Sequence, residues 1–232
     1  MNLGKKSTSR TAILLFAQSE NVEGIAKPII ACAKQNVFLW KKMNENVIKI
    51  IQKTKLSYFI STEKNQVGAS FGEKITNAIQ NIFEQGFEKV IVVGNDCIEL
   101  KMHHLLQAEQ DLRINSLVLG ADYAGGAYLI GVTKSTFNAT SFQNIPWQTK
   151  YLFTALQAIY KEESTAYLPY LNDCNNAFDF KKAAYELSFS DNFRKFLLSF
   201  LILLKVKNLT EIKFTSTDYQ AINFNKGSPF PF

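Results

Sequence analysis

Four short segments of this chain hold the residues whose types and spacing could do chemistry. Gly94-Asn95-Asp96 closes the apolar run KVIVV, the turn from Asp122 to Gly126 (DYAGG) closes SLVLGA, and NDCNN at 172–176 follows AYLPYL. Carboxylates and amides at the ends of buried strands are groups that bind a cation or a phosphate. A carboxylate directly before the pair Gly125-Gly126 would complete such a site, but that position is Ala124 and the nearest acid is Asp122. The fourth segment, QVGASFGEK (66–74), sets Gly68 and Gly72 around a helix N-terminus. Free backbone N–H groups and the helix dipole there favour an anion such as phosphate. Neither a Walker lysine motif nor a GxGxxG pattern is present.

The elements that must position these segments alternate between strand and helix patterns. TAILLFAQ (11–18), SYFIST (57–62), KVIVV, SLVLGAD, AYLIGVT and AYLPYL (166–171) read as strands, most of them continuously apolar as buried strands are. Helices are expected at 37–55, 70–86, about 101–113 and 149–163. In the second of these, Ser70 and Glu73 form an S-x-x-E capping box, Ile75, Ile79, Ile82 and Phe83 share one face, and Gly86 marks the end. Such alternation predicts an α/β fold with a mostly parallel central sheet covered by helices on both faces. In sheets of this kind ligands bind beyond the carboxyl ends of the strands, where the polar segments fall. After residue 176 the pattern turns helical, then closes with a strand, TEIKFTST, and an irregular tail.

Composition narrows the class. The chain has 232 residues, 47% of them hydrophobic, enough for one large α/β domain. Three widely spaced cysteines outside any CxxC pattern fit a reducing compartment, without a disulfide frame or zinc site. Lysines scattered along a chain of net charge +6 form no basic stripe, so nucleic acid is not an expected partner. The apolar run Phe196 to Leu204 is too short for a membrane span, which takes about 20 residues. A soluble, cytoplasmic protein is the expectation. His103 and His104 point about 100° apart on a helix and make a poor metal chelate.

Taken in order, QVGASFGEK, VIVVGND, LGADYAGGAYLIG and IPWQTK resemble a bacterial family of glycosyltransferase-A-like proteins. Its relatives include sugar-nucleotide transferases and the guanylyltransferases that build deazaflavin cofactors. The closing FNKGSP resembles the tails of Bacteroidetes-type members. The resemblance covers residues 11–180 and implies a nucleotide-diphospho-sugar transferase fold for that stretch. Residues 1–10 would then be a flexible N-terminus, and 181–232 a helical extension and tail packed on the same domain. It also implies a nucleotide or nucleotide-sugar at the sheet edge and a divalent metal, Mg²⁺ or Mn²⁺, between carboxylates and phosphates.

Position by position, the resemblance assigns Asp96 to the metal-bound nucleotide and Gly68, Gly72 and Lys74 to the loop-to-helix motif, with Lys74 where an arginine is usual. Gly125 and Gly126 match the glycine pair, but the preceding aspartate is replaced by Ala124. Asp173 is kept in a turn whose second acid is Asn175. Gly24 and Lys27 are what remains of a basic motif after the first strand. Pro146, Trp147 and Thr149 match a PW-x-T element. Asp96, Asp122 and Asp173 are thus the candidate catalytic residues, with Asp96 the metal ligand. Lys27, Gly68, Gly72, Lys74, Gly125 and Gly126 are the candidate phosphate-binding set.

In a regular strand Asp122 faces the same side as Ala124 but about 6–7 Å back, too far to replace it unless the chain bends. The neighbouring glycines would permit a bulge. The expected activity is nucleotidyl or glycosyl transfer to an acceptor the sequence does not name, nor does it give the oligomeric state. The alternative is a degenerate relative that keeps the fold as a nucleotide-binding or protein-interaction module.

Overall fold

The computed structural model describes residues 10–210, and only the backbone of 202–210. The expected strand TEIKFTST starts at Thr210 and, with the tail after it, lies outside the described residues. In chain order the elements are β1 (Thr11–Phe16), α1 (Glu20–Ala26), α2 (Ala33–Lys53), β2 (Ser57–Ser61), α3 (Phe71–Glu84), β3 (Lys89–Val93), α4 (Met102–Asp111), β4 (Leu117–Asp122), β5 (Ala127–Thr133), α5 (Ala139–Gln143), α6 (Leu152–Ile159), β6 (Thr165–Leu171), α7 (Ala177–Glu186) and α8 (Asn192–Thr210).

The strands form one sheet in the order β2-β1-β3-β5-β4-β6. β1 pairs in parallel with β2 and β3, and β4 with β6, whereas β5 runs antiparallel between β3 and β4. The exception follows from chain length: the four residues between β4 and β5 allow a hairpin, and a parallel return needs a crossover of a dozen or more residues.

Both faces of the sheet are covered over its inner strands, which is why those strands are mostly apolar. Ala12, Leu14 and Phe16 pack with Ile79 of α3, Phe142 of α5 and Leu156 of α6 on one face. Ile13 and Leu15 pack with Val47 and Ile51 of α2 and Leu105 of α4 on the other. A third core joins Leu39, Trp40 and Met43 of α2 to Phe180, Ala183 and Ala184 of α7 and Leu197 of α8.

Ser70 caps α3 as expected, while the Glu73 half of the expected box is shifted by one residue. Ser70 Oγ accepts from Glu73 N–H at 3.1 Å, and Glu73 Oε2 turns back to accept from Ala69 N–H at 2.7 Å. His104 is buried in α4, where its Nδ1 accepts from Lys101 N–H. Burial, aided by His103 and Lys101, pushes its pKa down to about 4, so it stays neutral at neutral pH. Two helices were not anticipated, α1 and α5. Each is seven residues or fewer, too short for apolar periodicity to declare itself.

Candidate functional site

A cleft of about 530 Å³ opens beyond the carboxyl ends of β1, β3, β4 and β6, within the size range of ligand pockets. Lys27, Asp96, Asp122, Gly126 and Asp173 line it, as do Ala124 and Asn175 at the positions where the resemblance expects acids.

Lys27 reaches the cleft because its own backbone is locked. Its carbonyl, at the end of α1, accepts from Asn36 Nδ2 and Trp40 Nε1, both at 3.1 Å. Asn36 is fully buried; it also donates to Gly24 O and accepts from the N–H groups of Ile29 and Ile30. From this mount Lys27 Nζ donates to Asp96 Oδ2 at 2.6 Å. Burial alone would lower the Lys27 pKa. The Asp96 charge and hydrogen bond, with Glu23 and Asp173, instead carry it above its ordinary value.

Asp96 and Asp173 come together because their loops are stitched to each other. Cys174 N–H donates to Asp96 O at 2.9 Å, while Asn172 donates through backbone and side chain to Glu99 Oε2 at 2.6 and 2.8 Å. Gly94 makes room for the turn: a Cβ there would meet Asp96 Oδ1 at 2.8 Å. Asp173 Oδ1 is closed off from solvent and has no hydrogen-bond partner among the described residues. Burial, then the charges of Asp96 and Asp122, raise the Asp173 pKa well above the carboxylate range, and a hydrogen bond with Asp122 favours its protonated form.

Asp122 is buried and lines the cleft, so it does not point to the far face. Beside it Gly120 pairs with Leu168 and Asp122 with Leu171, two steps on β4 against three on β6, so the bulged residue lies on β6 and not on β4. Its Oδ1 is already committed, accepting from Ala124 N–H at 2.8 Å and Gly126 N–H at 2.6 Å. A Cβ on Gly126 would sit 2.6 Å from Asp122 Oδ2, so glycine is what lets the carboxylate lie back over this turn.

Gly68, Gly72, Lys74 and Gly125 are absent from the cleft wall. Lys74 lines a separate groove between β2 and α3, beside Phe59 and Asn77. The α3 N-terminus is engaged by its own cap. Gly72 has a packing reason, since a Cβ would lie 2.0 Å from the backbone oxygen of Gln143; Gly125 (φ +91°) is pressed against Lys150 O in the same way. Gly72→Ala is expected to lower stability by about 1–3 kcal/mol, roughly 2–10 °C in Tm. A thermal melt checks this, and an unchanged Tm would contradict it.

Glu23 escaped the sequence reading. It is buried beside Lys27, its pKa raised by burial against the pull of Lys27, with Asp96 raising it further. The available signal was its i, i+4 spacing to Lys27. Trp147 packs on Phe71 and Phe142, with ring centroids 5.5 and 5.0 Å away, and closes the opposite wall. Next to it Gln148 holds φ +60°, a conformation rare for a side chain of its kind.

The residues fit a divalent cation. Mg²⁺ and Mn²⁺ sites commonly use one or two protein carboxylates completed by substrate phosphates and water. Here Glu23, Asp96 and Asp173 surround Lys27, Asp122 lines the same cleft, and the orphaned Asp173 oxygen is an available donor. Among the described residues, no group of three His, Cys, Asp or Glu side chains is placed to hold a metal alone. Also among them, no helix is long and apolar enough to cross a membrane.

Comparison with solved structures places this architecture. A protein from Desulfovibrio desulfuricans G20, provisionally described as a nucleotide-diphospho-sugar transferase, superposes with a TM-score of 0.76 at 20% identity, over 86% of this chain and 98% of its own. Weaker similarity extends to a cytidylyltransferase from Leptospira borgpetersenii (TM-score 0.42, 12% identity, 90% of this chain and 99% of that one). It also extends to the molybdopterin-guanine dinucleotide biosynthesis protein A of Archaeoglobus fulgidus (0.38, 12%, 75% and 96%). No curated protein sequence matches the chain. The chain shares the fold of the Desulfovibrio desulfuricans protein. Residues 33–149, half of the sequence, match a family described as uncharacterized proteins conserved in bacteria, and the chain belongs to that family, DUF2064.

Proposed function

We propose that the cleft binds the phosphates of a nucleotide donor and that the protein transfers a glycosyl or nucleotidyl group from it. The observation that carries this reading is the convergence of Lys27, Asp96 and the orphaned Asp173 carboxyl at the carboxyl edge of the sheet. Asp96 and Asp173 would hold Mg²⁺ or Mn²⁺. The ion would offset phosphate charge that this acidic cleft otherwise repels. Lys27, already hydrogen-bonded to Asp96, donates to a phosphate oxygen as negative charge develops on the leaving group. Asp122 acts as a positioning residue: it fixes the turn through two backbone N–H groups. Gly126 leaves space for that carboxylate. Gly72 and Gly125 serve packing beside the cleft, and Lys74 belongs to the separate groove.

Because a cation must displace the proton that Asp173 keeps above its ordinary value of 3.8, Mn²⁺ affinity is expected to rise with pH above that value. The free-Mn²⁺ electron paramagnetic resonance signal checks this; a flat profile would remove Asp173 from the ligand set.

Turnover separates the two transfer chemistries. Nucleotide-sugars should release nucleoside diphosphate, or nucleoside triphosphates with sugar 1-phosphates should release pyrophosphate. Ala124 and Asn175, the two missing acids, favour a second reading, a non-catalytic nucleotide-binding relative. Binding without either product would support it.

A further inference from the structure

Outside the cleft, on the edge of the sheet, four aromatic rings form a continuous strip. Tyr123 and Tyr170 lie 5.5 Å apart between centroids, Tyr170 and Phe153 6.4 Å, and Phe153 and Tyr167 6.1 Å. The three tyrosines are more than half exposed, at 67% (Tyr123), 54% (Tyr170) and 56% (Tyr167). Three residues apart, Tyr167 and Tyr170 would face opposite sides of a regular strand. The bulge that pairs Gly120 with Leu168 but Asp122 with Leu171 brings both against Phe153. A contiguous exposed aromatic surface of this kind marks a binding surface.

We propose that this strip is the acceptor subsite and that the acceptor is a saccharide; the inference rests on the transferase reading of the cleft. Three features select that occupant. Every ring but Phe153 carries a hydroxyl at its edge, and the strip therefore offers aromatic faces bordered by hydrogen-bonding groups, with Lys182 Nζ 5.2 Å from the centroid of Tyr123. A pyranose presents the complementary pattern, C–H bonds on its face and hydroxyls around its rim. The strip also adjoins the cleft through one turn, in which Asp122 and Ala124 line the cleft while Tyr123 stands in solvent. Phe153 N–H donates to Gly125 O at 3.0 Å, which fixes the rings to that turn. Finally, Pro169 in β6 has no N–H to offer, which disfavours pairing of this edge with another strand.

The test is saturation-transfer NMR with cellohexaose, chitohexaose and maltohexaose as probes, irradiating the aromatic protons. At least one probe should receive saturation on its ring C–H protons. The Tyr123→Ala/Tyr170→Ala variant, changed at two exposed positions, should bind that probe about tenfold or more weakly. Its nucleotide binding should match the wild type. No transfer to any probe, or equal transfer in the variant, would overturn the proposal. So would sedimentation showing a wild-type dimer that this variant abolishes, because the strip would then be a contact between copies. Saccharide binding that persists while no nucleotide binds would leave the strip standing and remove the donor reading of the cleft.

Discussion

Lys27→Met is expected to lose both stability and phosphate binding. The substitution keeps the length of the side chain and removes the ammonium that faces Glu23, Asp96 and Asp173. Lys27 and Asp96 keep 28% and 19% side-chain exposure, so the loss is set below that of a fully buried pair, at about 1–3 kcal/mol. Urea melts give the sign. The folded-state pKa of Lys27 is raised, so its contribution is complete below the ordinary value of 10.5 and is lost as pH rises through the folded value. The gap between wild type and variant should therefore be full at neutral pH and shrink in strong alkali. Nucleotide affinity should fall about 10–100-fold, the worth of one charge-assisted hydrogen bond. A variant with unchanged stability and affinity would make Lys27 an ordinary surface lysine.

Asp173→Asn should move the two properties in opposite directions. Between the ordinary value of 3.8 and its raised folded value, Asp173 holds a proton in the folded state that the unfolded chain releases. Stability therefore falls as pH rises through that window, and at neutral pH the native carboxyl weakens the fold. An uncharged amide relieves this, so the variant should be more stable at pH 7 by about 1–2 kcal/mol, roughly 2–8 °C, with the advantage fading below about pH 4. Divalent-cation and nucleotide binding should fall at the same time. Stability gained at the expense of binding is the behaviour of a group retained for function. A variant that melts lower at pH 7 would show that Asp173 serves the fold instead.

Much of the frame was legible because it rests on local rules. Continuous apolar runs at 89–93 and 127–133 could only be buried strands, and Ser70 with Glu73 announced the start of α3. The acidic segments at 96, 122 and 173 share the cleft because the strands deliver them to one edge. The mount for Lys27 was not legible. It depends on Asn36 and Trp40, nine and thirteen positions away, the one just before the expected helix and the other an ordinary apolar position within it. Glu23 was missed because α1, at seven residues, is too short to declare itself, and nothing else marked the residue as buried. The bulge opposite Asp122 lies on β6, and no pattern within β4 encodes it. Gly72 misleads for a related reason, since its neighbour Gln143 is distant in sequence.

The most direct test of the account is calorimetric titration of nucleoside diphosphates of the common bases, with and without Mn²⁺, into wild type and Asp96→Ala. The account predicts one saturable site that needs the metal and is lost in the variant. Absence of saturable binding with every nucleotide, or equal binding in Asp96→Ala, would contradict it.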